Sequence, residues 1–458
     1  MLFAAQPFLL LFLPVVLGLY YAIAASRAAR QAVLIAASLV FYGLWDWRFV
    51  PLLLGMTGFS QGIAVLWGRT RWRGWLWLGI AGNLAVLFGF KYAGWLAGCV
   101  LAAMGRAPAP WSVILPLGLS FFVFQKISYL VDLGRGQARV YRLADFVEFV
   151  TFFPQLVAGP IVRHNELIPQ FDASPRGPAM WENLGRGGLL LLVGLGKKVG
   201  LADTLGSICT PVFEAAHMGH APAFGAAWLA ALSFMLQIYF DFSGYSDMAI
   251  GMALMMGIRL PFNFNAPYRA VSVRDFWRRW HMTLSRFLRD YVYIPLGGNR
   301  CAPARQAVNV MVTMGLAGLW HGAGWNFVVW GLLHGAALAT AHGWDRTGRV
   351  LPRGVGYALT MLFVLLTWVV FRAADLPTAG HVLAGMLGAY GGRSMVVAHP
   401  VVLGLALAIA VIGPASQQVV LERVRPAPWL AVVAGIAFVL LVFLVGGRPP
   451  EAFIYFQF

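Results

Sequence analysis

Leu319-Trp320-His321-Gly322-Ala323-Gly324-Trp325-Asn326-Phe327 sets a histidine between apolar runs long enough to lie inside a bilayer. A charged side chain at that depth costs several kcal/mol, roughly 2.5 or more on insertion scales, so an ionisable one usually survives there for function. Neutral His321 can act as a base near physiological pH, because an unperturbed imidazole titrates at about 6.5. The flanking glycines allow close packing and leave room for a substrate. Asn326 is a candidate to orient an acceptor or an oxyanion. The alternative is a core histidine bonded to a backbone carbonyl.

A second constellation is basic and aromatic, from Tyr268 to Asp290, and contains Arg278-Arg279-Trp280-His281. Read at 100° per residue, Trp277, Trp280, Leu284, Phe287 and Leu288 share one face. Arg278, Arg279, Arg286 and Arg289 occupy the other, with His281 at the edge of the apolar stripe. One reading is an amphipathic helix lying in the membrane interface. The other is a cytoplasmic mouth, where Arg278, Arg279 and Trp280 receive an anionic donor such as a coenzyme A thioester, whose phosphates suit arginine forks.

A third group, Asp241, Ser243, Tyr245 and Asp247, forms a short polar interruption between two apolar runs. Irregular backbone at membrane depth is tolerated where it lines a cavity, and these residues are candidates for that lining. The competing reading is a cytoplasmic turn whose carboxylates pair with Arg259 or Arg269.

Other chemistries lack their residues. Cys99, Cys209 and Cys301 are too scattered for a disulfide framework or a zinc ribbon. His217 and His220 have metal-ligand spacing but no supporting thiol or carboxylate, so no metal is expected. Gly194-Leu195-Gly196-Lys197-Lys198 is not a phosphate loop, because position 191 is leucine rather than the glycine that motif needs. Gly58-Phe59-Ser60-Gln61-Gly62 has the Gly-x-Ser-x-Gly spacing but lies inside the apolar run 50–67 rather than on the strand-to-helix turn a nucleophile elbow needs, which argues against a covalent serine enzyme.

The elements that must position these residues are membrane helices. The chain has 458 residues, 60% hydrophobic and 11% charged, against about 25% charged in a soluble domain. Spanning helices need about 20 apolar residues. Candidate runs lie near 7–26, 32–47, 50–67, 75–103, 112–131, 187–206, 224–241, 306–320, 325–341, 354–371, 399–414 and 428–446. Segments near 146–162 and 244–258 read as re-entrant or half-spanning. The expected fold is all-α, a single polytopic membrane domain over 1–458 with 11–13 helices plus re-entrant and interfacial ones.

The first basic residues, Arg27 and Arg30, follow the first apolar run, so the positive-inside rule places the N-terminal end outside. Arginines at 69–73, 135–142, 346–353 and 423–425 then fall on the cytoplasmic side, and the C-terminal end emerges outside. The net charge of +17 fits arginine-rich loops facing anionic membrane lipid. No nucleic-acid-binding signature accompanies it, and nucleic acid is excluded as a partner.

The pairing of Arg-Arg-Trp-His281-Met-Thr-Leu-Ser with Leu-Trp-His321-Gly-Ala-Gly-Trp resembles the membrane-bound O-acyltransferase family, in particular its bacterial branch that acylates cell-envelope polymers. Further matches are Phe152-Phe153-Pro154-Gln155-Leu156-Val157-Ala158-Gly159-Pro160-Ile161-Val162-Arg163, Asp241-Phe242-Ser243-Gly244-Tyr245-Ser246-Asp247, Pro261-Phe262-Asn263-Phe264-Asn265, Phe371-Arg372 and the terminal Phe453-Ile454-Tyr455-Phe456-Gln457-Phe458. They run in the family's order from about Pro116 onward.

The resemblance implies tilted helices ringing a thin core, with a reaction tunnel in the membrane. His321 matches the family's catalytic histidine and His281 its second one. It implies direct transfer of an acetyl group from acetyl-CoA or an acyl carrier, with no bound cofactor, in a bacterial inner membrane. The expected polymer is alginate, then acetylated cellulose, peptidoglycan or another exopolysaccharide; the alternative within the family is D-alanyl transfer to teichoic acid. Expected partners are a periplasmic serine esterase-like acetyltransferase and polysaccharide synthesis and export machinery. The tail resembles a tyrosine motif associated with acyl relay in the D-alanyl system, which makes Tyr455 a candidate relay; an aromatic belt at the outer interface is the other reading. A transporter of acyl groups or lipid-linked sugars, and a scaffold that only recruits periplasmic enzymes, are rival functions from other classes.

Overall fold

The computed structural model describes residues 3–107, 113–391, 398–425, 427–447 and 453–454, and every regular element among them is helical. Five of these helices are long and apolar enough to cross a membrane: Arg27–Thr70, Gly74–Lys91, Phe224–Met255, Arg353–Arg372 and Pro428–Gly446. Phe8–Ala22, Ala93–Ala103 and Pro400–Val411 are apolar but shorter. This is the all-α, multi-pass membrane architecture that the apolar runs predict.

The chain divides into two compact units, each assembled from three separate segments. The first comprises Met1–Val193, Tyr245–Pro261 and Arg425–Pro450. An ion-pair cluster reaching from the surface to the buried Glu148 ties its segments together. Arg27 reaches Glu148 at 2.7 Å and Asp172 at 3.0 Å, and Gln31 donates to Glu148 at 2.9 Å. Glu148 is only 1% exposed, and partners of this kind make a buried carboxylate tolerable. His164 joins Asp132 (3.2 Å) to the Tyr141 hydroxyl (3.0 Å).

The 146–162 segment lies in this unit and is broken, as its length and polarity predict. One helix, Leu143–Thr151, stops at Phe152, and a four-residue helix, Phe153–Leu156, follows. Nine residues at 1.5 Å rise cannot span a bilayer.

The second unit comprises Gly194–Gly244, Phe262–Val424 and Glu451–Phe458. Its centre is an antiparallel pair, Pro303–His321 and Trp325–Arg346, joined by Gly322-Ala323-Gly324. Proline at the start of the first helix donates no N–H where none is needed. Gly322 leaves the helix in extended conformation, which makes His321 its last residue.

Two expectations are corrected. The 244–258 stretch is not a re-entrant interruption: residues 224–255 form one continuous helix, and Asp241, Ser243, Tyr245 and Asp247 are all buried in it. The 268–290 stretch is not one amphipathic helix. It contains the short helices Val273–Trp277 and Met282–Leu288, separated at His281, which has φ +42° and ψ +53°. A left-handed non-glycine residue cannot continue a right-handed helix. The side chains assigned to the apolar face (Trp277, Trp280, Leu284, Phe287 and Leu288) are nonetheless all buried.

Candidate active site

Both histidines singled out in the sequence lie in the second unit and share a wall. His321, 4% exposed, ends its helix against Trp320, with ring centroids 4.9 Å apart. The Trp330 and Phe371 rings stand nearly perpendicular to it at 5.2 and 5.1 Å. The Trp320 ring is also 5.9 Å from that of His281, so one indole borders both imidazoles. Phe242 presses edge-on against His281 at 4.7 Å.

His281 is fully buried, and the segment 263–265 holds its unusual backbone in place. Met282 N–H donates to the Asn263 carbonyl at 2.9 Å, and Asn265 N–H to the Arg279 carbonyl at 2.9 Å. The His281 Nδ1 stands 3.0 Å from Asn263 Oδ1, which also receives the Thr283 hydroxyl at 2.8 Å. Backbone strain of this kind persists only where the surroundings over-determine it, and it gathers at functional sites.

A third buried histidine, His334, belongs to the same neighbourhood and was not anticipated. Trp277 Nε1–H donates to its Nδ1 at 3.2 Å, so Nε2 carries the proton and faces the Thr367 hydroxyl at 3.1 Å. Both ring nitrogens are occupied, and the His334 ring packs on Trp330 at 4.8 Å. Its position in the pattern His-Gly-Ala-Ala looked like ordinary apolar helix, and only its spatial partners mark it.

The other candidates separate. Asn326 is 3% exposed and donates through Nδ2 to the Ala373 carbonyl at 2.8 Å, tying the start of the Trp325–Arg346 helix to the chain just beyond Arg372. Arg278 is exposed, whereas Arg279 pairs with Asp275 at 2.7 Å. Trp280 is 1% exposed and lies among Phe264, Phe276 and Trp368, an interior aromatic cluster beneath the arginines.

Asp241 receives Lys198 Nζ at 2.8 Å, and Lys198 also reaches Asp203 at 2.8 Å. This partner differs from the Arg259 and Arg269 considered from the sequence. The second Asp241 oxygen accepts Ile454 N–H at 2.7 Å. Lys197 Nζ donates to Ser243 at 3.3 Å. Tyr245 falls in the first unit, where it stacks on Phe3 at 4.7 Å. Tyr455 lies outside the described residues, but Phe453 and Ile454 before it are each 2% exposed. The Phe453 ring is 5.6 Å from Phe242, the same ring that abuts His281.

His217, half-exposed, faces Thr378 (3.1 Å) and Asp375 (3.4 Å). Among the described residues no cluster of three or more metal-ligating side chains occurs.

The arrangement is suited to proton transfer in a buried, aromatic enclosure: two imidazoles at a common indole. The family model for membrane-bound O-acyltransferases matches residues 71–373. The chain is 42% identical over 398 residues to a probable alginate O-acetylase AlgI of Pseudomonas aeruginosa, covering 84% of this chain and 75% of that one. It is 38% identical over 427 residues to a peptidoglycan O-acetyltransferase of Helicobacter pylori, covering 85% and 80%. A teichoic acid D-alanyltransferase of Streptococcus thermophilus is 28% identical over 245 residues, covering 52% and 59%. This chain belongs to the membrane-bound O-acyltransferase family and is an integral-membrane enzyme that transfers acyl groups to oxygen.

Proposed function

We propose that the enzyme moves an acetyl group from a cytoplasmic donor across the membrane for O-acetylation of a cell-envelope polysaccharide, with alginate as the polymer. The single observation that carries the chemistry is the pair of buried histidines, His321 and His281, meeting at Trp320. The polymer follows from the relatives named for alginate, with peptidoglycan the second choice at similar identity. D-alanyl transfer to teichoic acid is supported only by a shorter and weaker likeness.

His321 takes the proton of the attacking hydroxyl as its oxygen bonds to the thioester carbonyl carbon. The carbon–sulfur bond breaks, and the thiolate leaves with that proton. Acetyl-CoA is the donor, drawn by the exposed Arg278 beside the Arg279–Asp275 pair. Asp241 and Ser243 flank Phe242, whose ring abuts His281, and line the approach on either side of it, with Lys198 balancing the Asp241 charge. Tyr455 receives the acyl group and presents it outside to a periplasmic serine esterase-like acetyltransferase, working with the polysaccharide synthesis and export machinery. The enzyme resides in a bacterial inner membrane, with both ends of this sequence on the periplasmic face.

The test is His321→Ala in purified protein reconstituted in lipid with labelled acetyl-CoA. Loss of a general base commonly costs about 10²–10⁴ in rate, and transfer is expected to fall by that much with expression intact. Acetyl transfer at the wild-type rate would remove His321 from the chemistry. Labelled export without any transfer would favour a transporter, and full polymer acetylation by a double His281→Ala, His321→Ala variant would favour a scaffold.

A further inference from the structure

The two ring nitrogens of His281 have different environments. Nδ1 meets Asn263 Oδ1 at 3.0 Å, whereas Nε2 is buried with no hydrogen-bond partner among the described residues. The orientation of the Asn263 amide is fixed by its other neighbour. Thr283 N–H points at the same atom from 3.4 Å, and a backbone N–H is a donor only, so the atom it faces is the carbonyl oxygen. An oxygen opposite Nδ1 requires Nδ1 to carry the proton. In the neutral ring the lone pair is then on Nε2.

A buried nitrogen lone pair loses its water on folding and is ordinarily matched by a donor. His334 shows how this protein does so when a histidine is structural: both of its nitrogens are matched, by Trp277 and Thr367. His281 departs from that arrangement while also holding a left-handed backbone, pinned by Asn263 main chain and side chain alike. Among the described residues no charged side chain hydrogen-bonds or ion-pairs with it; its ring neighbours are Phe242 and Trp320.

We propose that Asn263 is a positioning residue for the transfer reaction: it locks His281 in the Nδ1–H tautomer, so that Nε2 accepts a hydrogen bond from the acyl acceptor through a donor group other than the hydroxyl that His321 deprotonates. This rests on the proposed O-acyl transfer, but the state of the ring can be read without it. The Thr283 hydroxyl completes the device by holding the Asn263 oxygen from the opposite side (2.8 Å). The sequence places Asn263 eighteen residues before His281 in Pro261-Phe262-Asn263-Phe264-Asn265, where nothing in the spacing ties the two together.

The experiment uses full-length protein in lipid nanodiscs, labelled with ¹⁵N-histidine, with the His281 signals assigned by difference from a His281→Gln sample. The wild type is expected to show His281 as a single neutral tautomer protonated on Nδ1. Asn263→Ala should give a mixture dominated by the Nε2–H form, and should lower kcat by at least about tenfold with donor KM unchanged. Asn263→Asp keeps an acceptor oxygen and should restore the Nδ1–H tautomer and much of kcat. It should also move the acidic limb of the rate profile to higher pH, because a carboxylate stabilises the protonated ring. A merely structural asparagine would not produce that shift. An unaltered tautomer in folded Asn263→Ala, or an Asn263→Asp variant as slow as Asn263→Ala with no shift of its profile, would overturn the proposal. Absence of transfer by the wild type would instead overturn the proposed function, while the tautomer measurement would still decide the role of Asn263.

Discussion

Gly318 and Gly331 face one another where the two central helices cross: a Cβ added to Gly318 would stand 3.1 Å from the Gly331 Cα and collide with the Phe327 carbonyl oxygen. The absence of side chains lets the backbones touch. One helical turn beyond Gly318 comes His321, and beside Gly331 comes Trp330, whose ring closes on that imidazole at 5.2 Å. The spacing of the helices therefore sets the distance between His321 and its wall.

Gly318→Ala is expected to lose about 1–3 kcal/mol, the usual cost of overpacking, and to lose activity out of proportion to its stability. Gly315→Ala is the internal control, since its Cβ would meet only Leu332 at an ordinary 3.5 Å. On the same helix it should be neutral or slightly stabilising, because alanine is favoured over glycine in helices by up to about 1 kcal/mol. Thermal unfolding in detergent and transfer rates for both variants check the pair. Equal behaviour would mean that close helix approach does not position His321.

The arginines beside His281 differ in what they are free to do. Arg278 is exposed, while Arg279 is committed to Asp275 at 2.7 Å. Arg278→Glu should raise the apparent donor KM and leave kcat unchanged, because attraction to donor phosphates becomes repulsion. The effect should shrink at high ionic strength, where exposed charges are screened. Arg279→Glu should add a stability loss, since it sets two carboxylates side by side. Initial-rate measurements over a range of acetyl-CoA and salt concentrations separate these, and a KM that ignores Arg278→Glu would leave the arginines as a lipid contact.

How far the sequence could be read depends on whether a residue's meaning is local. The placement of His321 at a buried helix end was legible because a histidine among apolar residues is unusual by itself, and the glycines after it mark the helix end. The helical period around Trp277–Leu288 was legible as burial, yet the continuous helix it implies is broken at His281, because the left-handed residue depends on hydrogen bonds from the 263–265 segment. Ser243-Gly244-Tyr245 looks like a break, but Gly244 is there for a neighbour: an added Cβ would lie 2.7 Å from the Gly194 carbonyl oxygen. Asp241 looks too polar for a continuous membrane helix until Lys198 is seen against it at 2.8 Å. Pairings between distant segments carry no periodicity, which is why the partnerships of Asn263 with His281, Lys198 with Asp241 and His334 with Trp277 were not legible.

Lys198 stands between Asp203 and Asp241, and the spare oxygen of Asp241 fastens the backbone of Ile454. Asp241→Ala leaves a buried lysine with one carboxylate instead of two, and a buried N–H without its acceptor. A loss of about 1–3 kcal/mol is expected from the unmatched N–H alone. Asp241→Asn retains an acceptor for Ile454 and should hold the tail better than alanine does. Carboxypeptidase digestion of the folded protein reads this directly: trimming of the C-terminal residues should be fastest for alanine, slower for asparagine and slowest for the wild type. Equal rates would mean that the carboxylate does not secure the tail.

That fastening gives Tyr455 its interest. Its own position lies outside the described residues, but its covalent neighbour Ile454 is tied to Asp241, and Phe453 packs on the Phe242 ring that touches His281. A phenol titrates near 10, well below an ordinary sugar hydroxyl, so its ester remains reactive enough to acylate the final acceptor. In the proposed relay, the phenol oxygen would bond to the donor's carbonyl carbon, the carbon–sulfur bond would break, and the phenol proton would pass through histidine to the leaving thiol. A second transfer to the proposed periplasmic partner would then regenerate the phenol. Incubation with labelled acetyl-CoA followed by mass spectrometry of the C-terminal peptide should find acetyl on Tyr455, and Tyr455→Phe should abolish both that label and polymer acetylation. It should leave thermal stability unchanged, because phenylalanine retains the ring. Full polymer acetylation by Tyr455→Phe would reduce the tail to an aromatic anchor and return the chemistry to direct transfer at His321.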